Sequence, residues 1–361
     1  MATSKKNSNP ISKKIINNLV QQFAIEDDTV EQVLWLSRVL REISNAEFSK
    51  DFALMGGSAI VFLYSDLYRF STDLDLDFVG NKNLGVYGKP EIKDQIKSDK
   101  EKLEGIAKSL GMKLKYGTDV KSLAQAASAR FVQYVLEYPS LYFDPGRIEI
   151  DLSYRYCHTV QKPVMKPWPI VEDKVLPPFE VQTLSQEELF AGKIIAILGG
   201  KEMKRMDFPG KIGLFFKRKI RHLYDIYLLA DNVERGQSTI NIELLQNLIV
   251  LFGVSRIEDF GLYRGDSIVG YTDEDMSQEL MAVVPKGKPV PGVKEVQWGV
   301  RQFLDRHVFQ FSDAHYEFIE DFSKGLFRPK KLFSTSLANR IKGMFYYDEM
   351  LKRVKPLKTV R

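Results

Sequence analysis

Gly56-Gly57-Ser58, followed by Arg69-Phe70-Ser71-Thr72-Asp73-Leu74-Asp75-Leu76-Asp77-Phe78, is the stretch on which the fold turns. From Thr72 to Val79 apolar and acidic residues alternate strictly. Leu74, Leu76 and Phe78 face one way, and Asp73, Asp75 and Asp77 face the other. That period of two predicts a half-buried strand. Residues two apart on a strand have Cα atoms about 6–7 Å apart on one face, so Asp73 and Asp75 aim at a common point. Phe52-Ala53-Leu54-Met55 reads as a strand entering the glycine turn, and Ser58 to Tyr64 as the helix leaving it. Such a turn lets backbone approach a phosphate, and the helix start offers N–H groups and a positive dipole end. Ser58 adds a hydroxyl donor.

Two hard carboxylates at this spacing suit Mg²⁺, which keeps several waters and takes further ligands from substrate phosphates. A third acid is expected on a neighbouring strand. Arg147 to Tyr154 alternates in the same way, with Glu149, Asp151 and Ser153 opposite Ile148, Ile150 and Leu152. Asp151 is placed for that role, with Glu149 as competitor. The other reading of these acids is a solvent-facing strand edge, but three like charges on one strand face repel without a cation. Asp77 sits too far along to share an ion with Asp73, so a structural or substrate-edge role is expected. Arg69 is available to a phosphate, to a carboxylate of the site, or to a surface ion pair.

The rest of the chain sets bounds. With 361 residues and 44% apolar composition, it is long enough for two ordinary domains with real cores. One cysteine, Cys157, forms no intrachain disulfide and suits a reducing compartment. Residues 1–9 are polar, and no apolar run approaches the roughly 18 residues of a membrane span. A cytoplasmic protein without signal peptide or membrane segment is expected. The net charge of +5 is concentrated. Lys201, Lys204, Arg205, Lys211, Lys217, Arg218, Lys219 and Arg221 face only Glu202 and Asp207. Lys352, Arg353, Lys355, Lys358 and Arg361 form a second cluster near the end. Both suit a polyanion such as RNA; a solvated loop and a frayed tail are the alternative.

Periodicity predicts two helices over 10–46, a charged helix over 91–110, and strands at 113–116, 129–137 and 147–154. Pro163, Pro167, Pro169, Pro177 and Pro178 mark a crossing, dividing the chain into lobes 1–178 and 179–361. The second lobe opens on a helix capped by Ser185, with Glu188 completing a capping box and Leu184 and Leu189 a hydrophobic staple. Gly199-Gly200 ends it. Further helices are expected at 218–230, 240–252, 297–308, 313–325 and 334–352, with 253–300 irregular.

Two charged groups in the second lobe occupy apolar surroundings. Lys193 shares a helix face with Leu189, Ala196 and Ile197. A lysine there either snorkels to solvent or meets a partner such as a nucleotide phosphate. Asp225 lies four residues after Arg221, which permits an intrahelical ion pair; otherwise it orients Lys193 or a nucleotide. His222 reads as a core or capping histidine.

Taken together these residues resemble the AbiEii/MenT family of nucleotidyltransferase toxins. The resemblance rests first on Gly56-Gly57-Ser58-Ala59 and Arg69-x-Ser71-x-Asp73-Leu74-Asp75-Leu76. It extends to Ile150-Asp151-Leu152-Ser153-Tyr154-Arg155, Leu184-Ser185-x-Glu187-Glu188-Leu189-x-x-x-Lys193 and Arg221-His222-Leu223-Tyr224-Asp225-Ile226. Phe318-x-x-Asp321-Phe322, Gly325-Leu326-Phe327-x-Pro329 and Leu332-Phe333 share the family's look. Two departures are His222, where many members carry an acid, and 253–300, which matches nothing familiar. The resemblance implies an α+β, bilobed protein: a polymerase-β-like nucleotidyltransferase lobe with a mixed sheet, and a mainly helical C-terminal lobe. It implies Mg²⁺ on Asp73, Asp75 and Asp151, and Lys193 and Asp225 as catalytic residues. Gly56, Gly57, Ser58, Arg69, Ser71, Lys193 and Arg221 would hold the NTP. The acceptor it implies is RNA, for several relatives the 3′ end of tRNA; a protein or small-molecule acceptor, or a silent binding module, are the other readings. It also implies a cognate antitoxin, a role in toxin–antitoxin or phage-defence systems, and Ser71 as a position that some relatives' antitoxins phosphorylate.

Overall fold

In the computed structural model the described residues are 11–64, 69–79, 89–116, 131–154, 160–165, 176–198, 212–253, 273–281, 283–285, 290–324, 326–335 and 338–339. Helices α1 (Lys13–Phe23) and α2 (Asp27–Asn45) lead into strand β1 (Phe52–Met55). A short helix α3 (Gly56–Ala59) and one π-type turn (Ile60–Tyr64) follow, then β2 (Asp73–Phe78), α4 (Lys89–Ser109), β3 (Lys113–Tyr116), β4 (Phe131–Tyr138) and β5 (Gly146–Ser153). Four short strands come next: β6 (Val160–Gln161), β7 (Val164–Met165), β8 (Phe179–Glu180) and β9 (Thr183–Leu184). The remainder is helical: α5 (Gln186–Leu198), α6 (Ile212–Glu234), α7 (Ile242–Gly253), α8 (Asp273–Met281), α9 (Val293–Phe303) and α10 (Asp313–Ser323).

Seven strands form one mixed sheet in the order β3-β4-β5-β2-β1-β9-β6, and β7 pairs with β8 separately. The β2–β5 and β1–β9 pairs are parallel, and the others are antiparallel. The alternation read in β2 and β5 decides which face is covered. Leu74, Leu76, Ile148, Ile150 and Leu152 are all buried, against the side where α2 lies on β2 and β5. Trp35 of α2 stacks on Tyr138 of β4 at 5.2 Å, and Phe78 meets Phe52 edge-on at the same separation. The acids of β2 and β5 therefore fall on the opposite face.

The sheet reaches past the crossing expected at residue 178. Thr183 pairs with Leu54 of β1, and its hydroxyl donates to the Leu54 carbonyl at 2.9 Å. Ser185, directly after β9, caps α5: the Glu188 N–H donates to its hydroxyl at 3.3 Å. The helix carrying Lys193 is thus bolted to the strand that ends in the glycine turn. One continuous cluster of buried apolar side chains runs from Ile11 to Val308 and includes both sheet and helices.

Two sequence expectations change. Helix begins at Gly56 rather than Ser58. The span 253–300, expected to be irregular, contains α8 and the first turn of α9, whose remainder falls in the helix expected from 297. In α9, Val293, Val296, Val300 and Phe303 are buried at helical spacing, so the helix starts at 293 rather than 297. Gly299 is where α9 meets α6, since a Cβ there would lie 2.9 Å from the Tyr227 ring. The caps expected at Gly199-Gly200, most of the basic run and the second basic cluster lie outside the described residues, as do most of 334–352.

Candidate active site

The pairing of β2 with β5 brings the acids together. In the parallel register Asp75 lies opposite Asp151, and Asp73 lies opposite Glu149. Neighbouring strands are about 4.8 Å apart, so Asp151 stands beside Asp75 on the same face. Glu149 is exposed and Asp73 is exposed, whereas Asp75 and Asp151 are half-buried. Burial, then the charges of Asp151 and Asp73, push the Asp75 carboxyl up from 3.8 to about 7, against the pull of Lys193 and Arg69. Asp151 contributes more to this than Asp73 does. Asp77 departs from its alternating neighbours: it is 4% exposed, deep in the sheet opposite Ala53 and Ser153.

The glycine turn is shaped by side chains that press on it. Gly56 has φ +69°, the left-handed region, and a Cβ there would overlap the Asp75 carboxylate. A Cβ on Gly57 would lie 2.7 Å from Arg69 Nη2 and 3.2 Å from Ser71 Oγ. The two glycines thus make room for Asp75 and for Arg69. Ser58 is fully buried, and its hydroxyl donates to the Asp73 carbonyl. That bond ties α3 to the first residue of β2 and commits the hydroxyl read as a phosphate donor. Ser71 is also buried. Gly56→Ala is expected to cost about 1–3 kcal/mol from the left-handed backbone alone and to displace Asp75; thermal melts and transfer assays on the variant check both.

A second charged cluster joins the helices to the sheet. Arg69 donates from Nε to Asp225 Oδ1 at 2.6 Å and from Nη2 to Oδ2 at 2.8 Å. Its Nη1 donates to the Phe70 carbonyl at 2.8 Å. Lys193 Nζ lies 2.9 Å from Asp225 Oδ2 and 3.0 Å from His222 Nδ1. Arg69, Lys193 and Asp225 are exposed by 4%, 7% and 0% respectively. Burial alone would raise the Asp225 carboxyl; the charges of Arg69 and Lys193 and their hydrogen bonds overcome it and hold it well below the usual carboxylate range. Of the partners left open by the sequence, Arg69 meets a carboxylate, and Lys193 meets a partner instead of snorkelling.

The intrahelical pair of Arg221 with Asp225 does not form. Arg221 Nε lies 3.3 Å from Glu279 Oε2 on α8, because both Asp225 oxygens already face Arg69 and Lys193. His222, read as a core or capping residue, instead contacts the lysine. Sequence reading missed that role and the Glu279 contact, since both are interhelical contacts with no local signature.

No group of three or more His, Cys, Asp or Glu side chains among the described residues is arranged to hold a metal ion. Magnesium asks for less, since one or two carboxylates with water and substrate phosphates complete its shell. The donor set fits it: hard oxygens, with burial and then the neighbouring acids raising the Asp75 carboxyl to about 7 when no cation balances it. Asp73, Asp75 and Asp151 are the residues that would hold the ion.

A family model described as "Nucleotidyl transferase AbiEii toxin, Type IV TA system" matches residues 38–348. The chain belongs to that family. It is therefore a nucleotidyltransferase toxin of the AbiEii family. Among solved structures it is similar to MenT4, the nucleotidyltransferase toxin Rv2826c of Mycobacterium tuberculosis H37Rv. The TM-score is 0.57 at 12% identity, covering 95% of this chain and 99% of MenT4, a likeness of fold. No curated protein matches the sequence. The α+β architecture expected of the AbiEii chain stands, and a type IV system implies an antitoxin partner. No helix among the described residues is long and apolar enough to cross a membrane.

Proposed function

We propose that the chain transfers a nucleotide from an NTP to RNA, at the 3′ end of tRNA, with Mg²⁺ bound by Asp73, Asp75 and Asp151. The observation that carries this reading is the register of Asp75 against Asp151, with Gly56 leaving space for the Asp75 carboxylate. Bound magnesium would supply charge stabilisation for the triphosphate and the leaving pyrophosphate. The protein's own part is positioning. Met55, ahead of the turn, pairs with Asp75, so the turn and the acids are held as one rigid corner. Asp225 is already balanced by Arg69, which leaves the Lys193 charge to attract phosphate oxygens. Asp151, opposite Asp75 in the register, would take the proton of the acceptor hydroxyl. Support for RNA comes from the basic sequence run 201–221 and from the family.

Incubation of the protein with total RNA and each labelled NTP in turn is expected to give one labelled band of tRNA size, dependent on Mg²⁺. Label in protein or in small molecules instead of RNA would redirect the acceptor. Absence of label with every NTP would sink the transfer reaction itself.

A further inference from the structure

Lys193 is held by a group that the charge pairs leave unexplained. An ammonium has three N–H donors and no acceptor. Among the described residues Lys193 has two partners, Asp225 Oδ2 at 2.9 Å and His222 Nδ1 at 3.0 Å. The histidine nitrogen must therefore be the acceptor, which fixes the ring with its proton on Nε2. One N–H of Lys193 then remains.

The direction of the lysine follows from the same contacts. Asp225 alone would leave the flexible Lys193 side chain free to pivot about a single carboxylate oxygen that it shares with Arg69 Nη2. The imidazole supplies the second point. His222 and Asp225 lie three residues apart on α6, so both point from one helix face at α5. A neutral acceptor also adds no negative charge. Two cations against one carboxylate leave the Arg69–Asp225–Lys193 cluster with one net positive charge at the site. The Lys193 charge is felt at Asp75, so this net charge lies within electrostatic reach of the metal-binding acids.

We infer that His222 is a positioning residue for nucleotide binding: it clamps Lys193 through Nδ1, so that the remaining N–H and an uncancelled positive charge face the triphosphate. The inference rests on the nucleotide site proposed above. It concerns this chain's own His222, at a position where the family resemblance points to an acid in many members.

The test compares wild type, His222→Leu and His222→Asn. Asn places an amide oxygen near the position of Nδ1 and keeps an acceptor; Leu removes it. Calorimetry with ATP, GTP, CTP and UTP in turn, each with Mg²⁺, identifies the NTP that wild type binds most tightly. For that NTP, His222→Leu is expected to weaken binding about tenfold, the scale of one hydrogen bond to a charged group. His222→Asn should recover most of the affinity. In transfer assays the loss should appear mainly in KM, with melting temperatures of the two variants alike. His222→Ala replaces Leu if the half-buried position rejects it. Unchanged affinity in His222→Leu overturns the inference, as does an equal loss in Leu and Asn variants. If wild type binds none of the four NTPs, the nucleotide site falls and the inference with it; the wild-type trace alone distinguishes that failure.

Discussion

Asp75→Asn is expected to reduce nucleotide transfer about a thousandfold or more, since losing a ligand to the metal forfeits several kcal/mol of charge stabilisation. The fold should survive, and the metal-free variant should be more stable than wild type. Burial of its carboxyl, then crowding by Asp151 and Asp73, raises Asp75 to about 7. A carboxyl raised in the folded state binds its proton more tightly there than in the unfolded chain. Metal-free wild type therefore loses stability as pH rises from the ordinary carboxylate value, about 3.9, through 7. Asn cannot ionise and escapes that loss. At pH 8 without metal the variant should melt a few degrees higher, and added Mg²⁺ should raise wild type but not the variant. Undiminished transfer by the variant would sink the metal assignment, and a lower melting point would contradict the raised Asp75 carboxyl.

Asp225→Asn should do the reverse, losing both stability and activity. It leaves Arg69 and Lys193 buried and facing each other without their shared carboxylate. Removing one partner of a buried ion pair costs about 3–5 kcal/mol, roughly 5–10 °C in melting temperature for a chain of this size. In wild type the Asp225 carboxyl is held low, so its contribution is fully present above the ordinary carboxylate value and fades only as pH falls below about 4. The variant lacks it at every pH. Its deficit against wild type should therefore be large at pH 7 and shrink in acid, which denaturant melts across that range can follow. A variant as stable as wild type at pH 7 would show that the cluster contributes no net stability.

Much of the architecture was legible because it depends on local periodicity. Asp73–Phe78 alternates because one face of a strand meets the core, and the matching alternation at 147–153 follows from the same cause. Ser185 and Glu188 announce a helix start for similarly local reasons. Helix α9 was legible only from 297 onward; its first turn, set by the burial of Val293 and Val296 against the packed core, was not.

The candidate site divides along the same line. The sequence by itself determined that Asp73 and Asp75 share a face, that a glycine turn precedes them, and that Lys193 sits in an apolar stripe. Each is a property of a few consecutive residues and their period. Only the tertiary structure decided that Asp75 stands opposite Asp151 while Asp73 faces Glu149, because register depends on how two distant strands align. It also decided that Arg69 grips Asp225, 156 residues away, and that His222 holds Lys193. Many residues along the chain could have served as partners for these charges. Burial selects among them, since a desolvated charge must find its counterpart wherever the packed core leaves one.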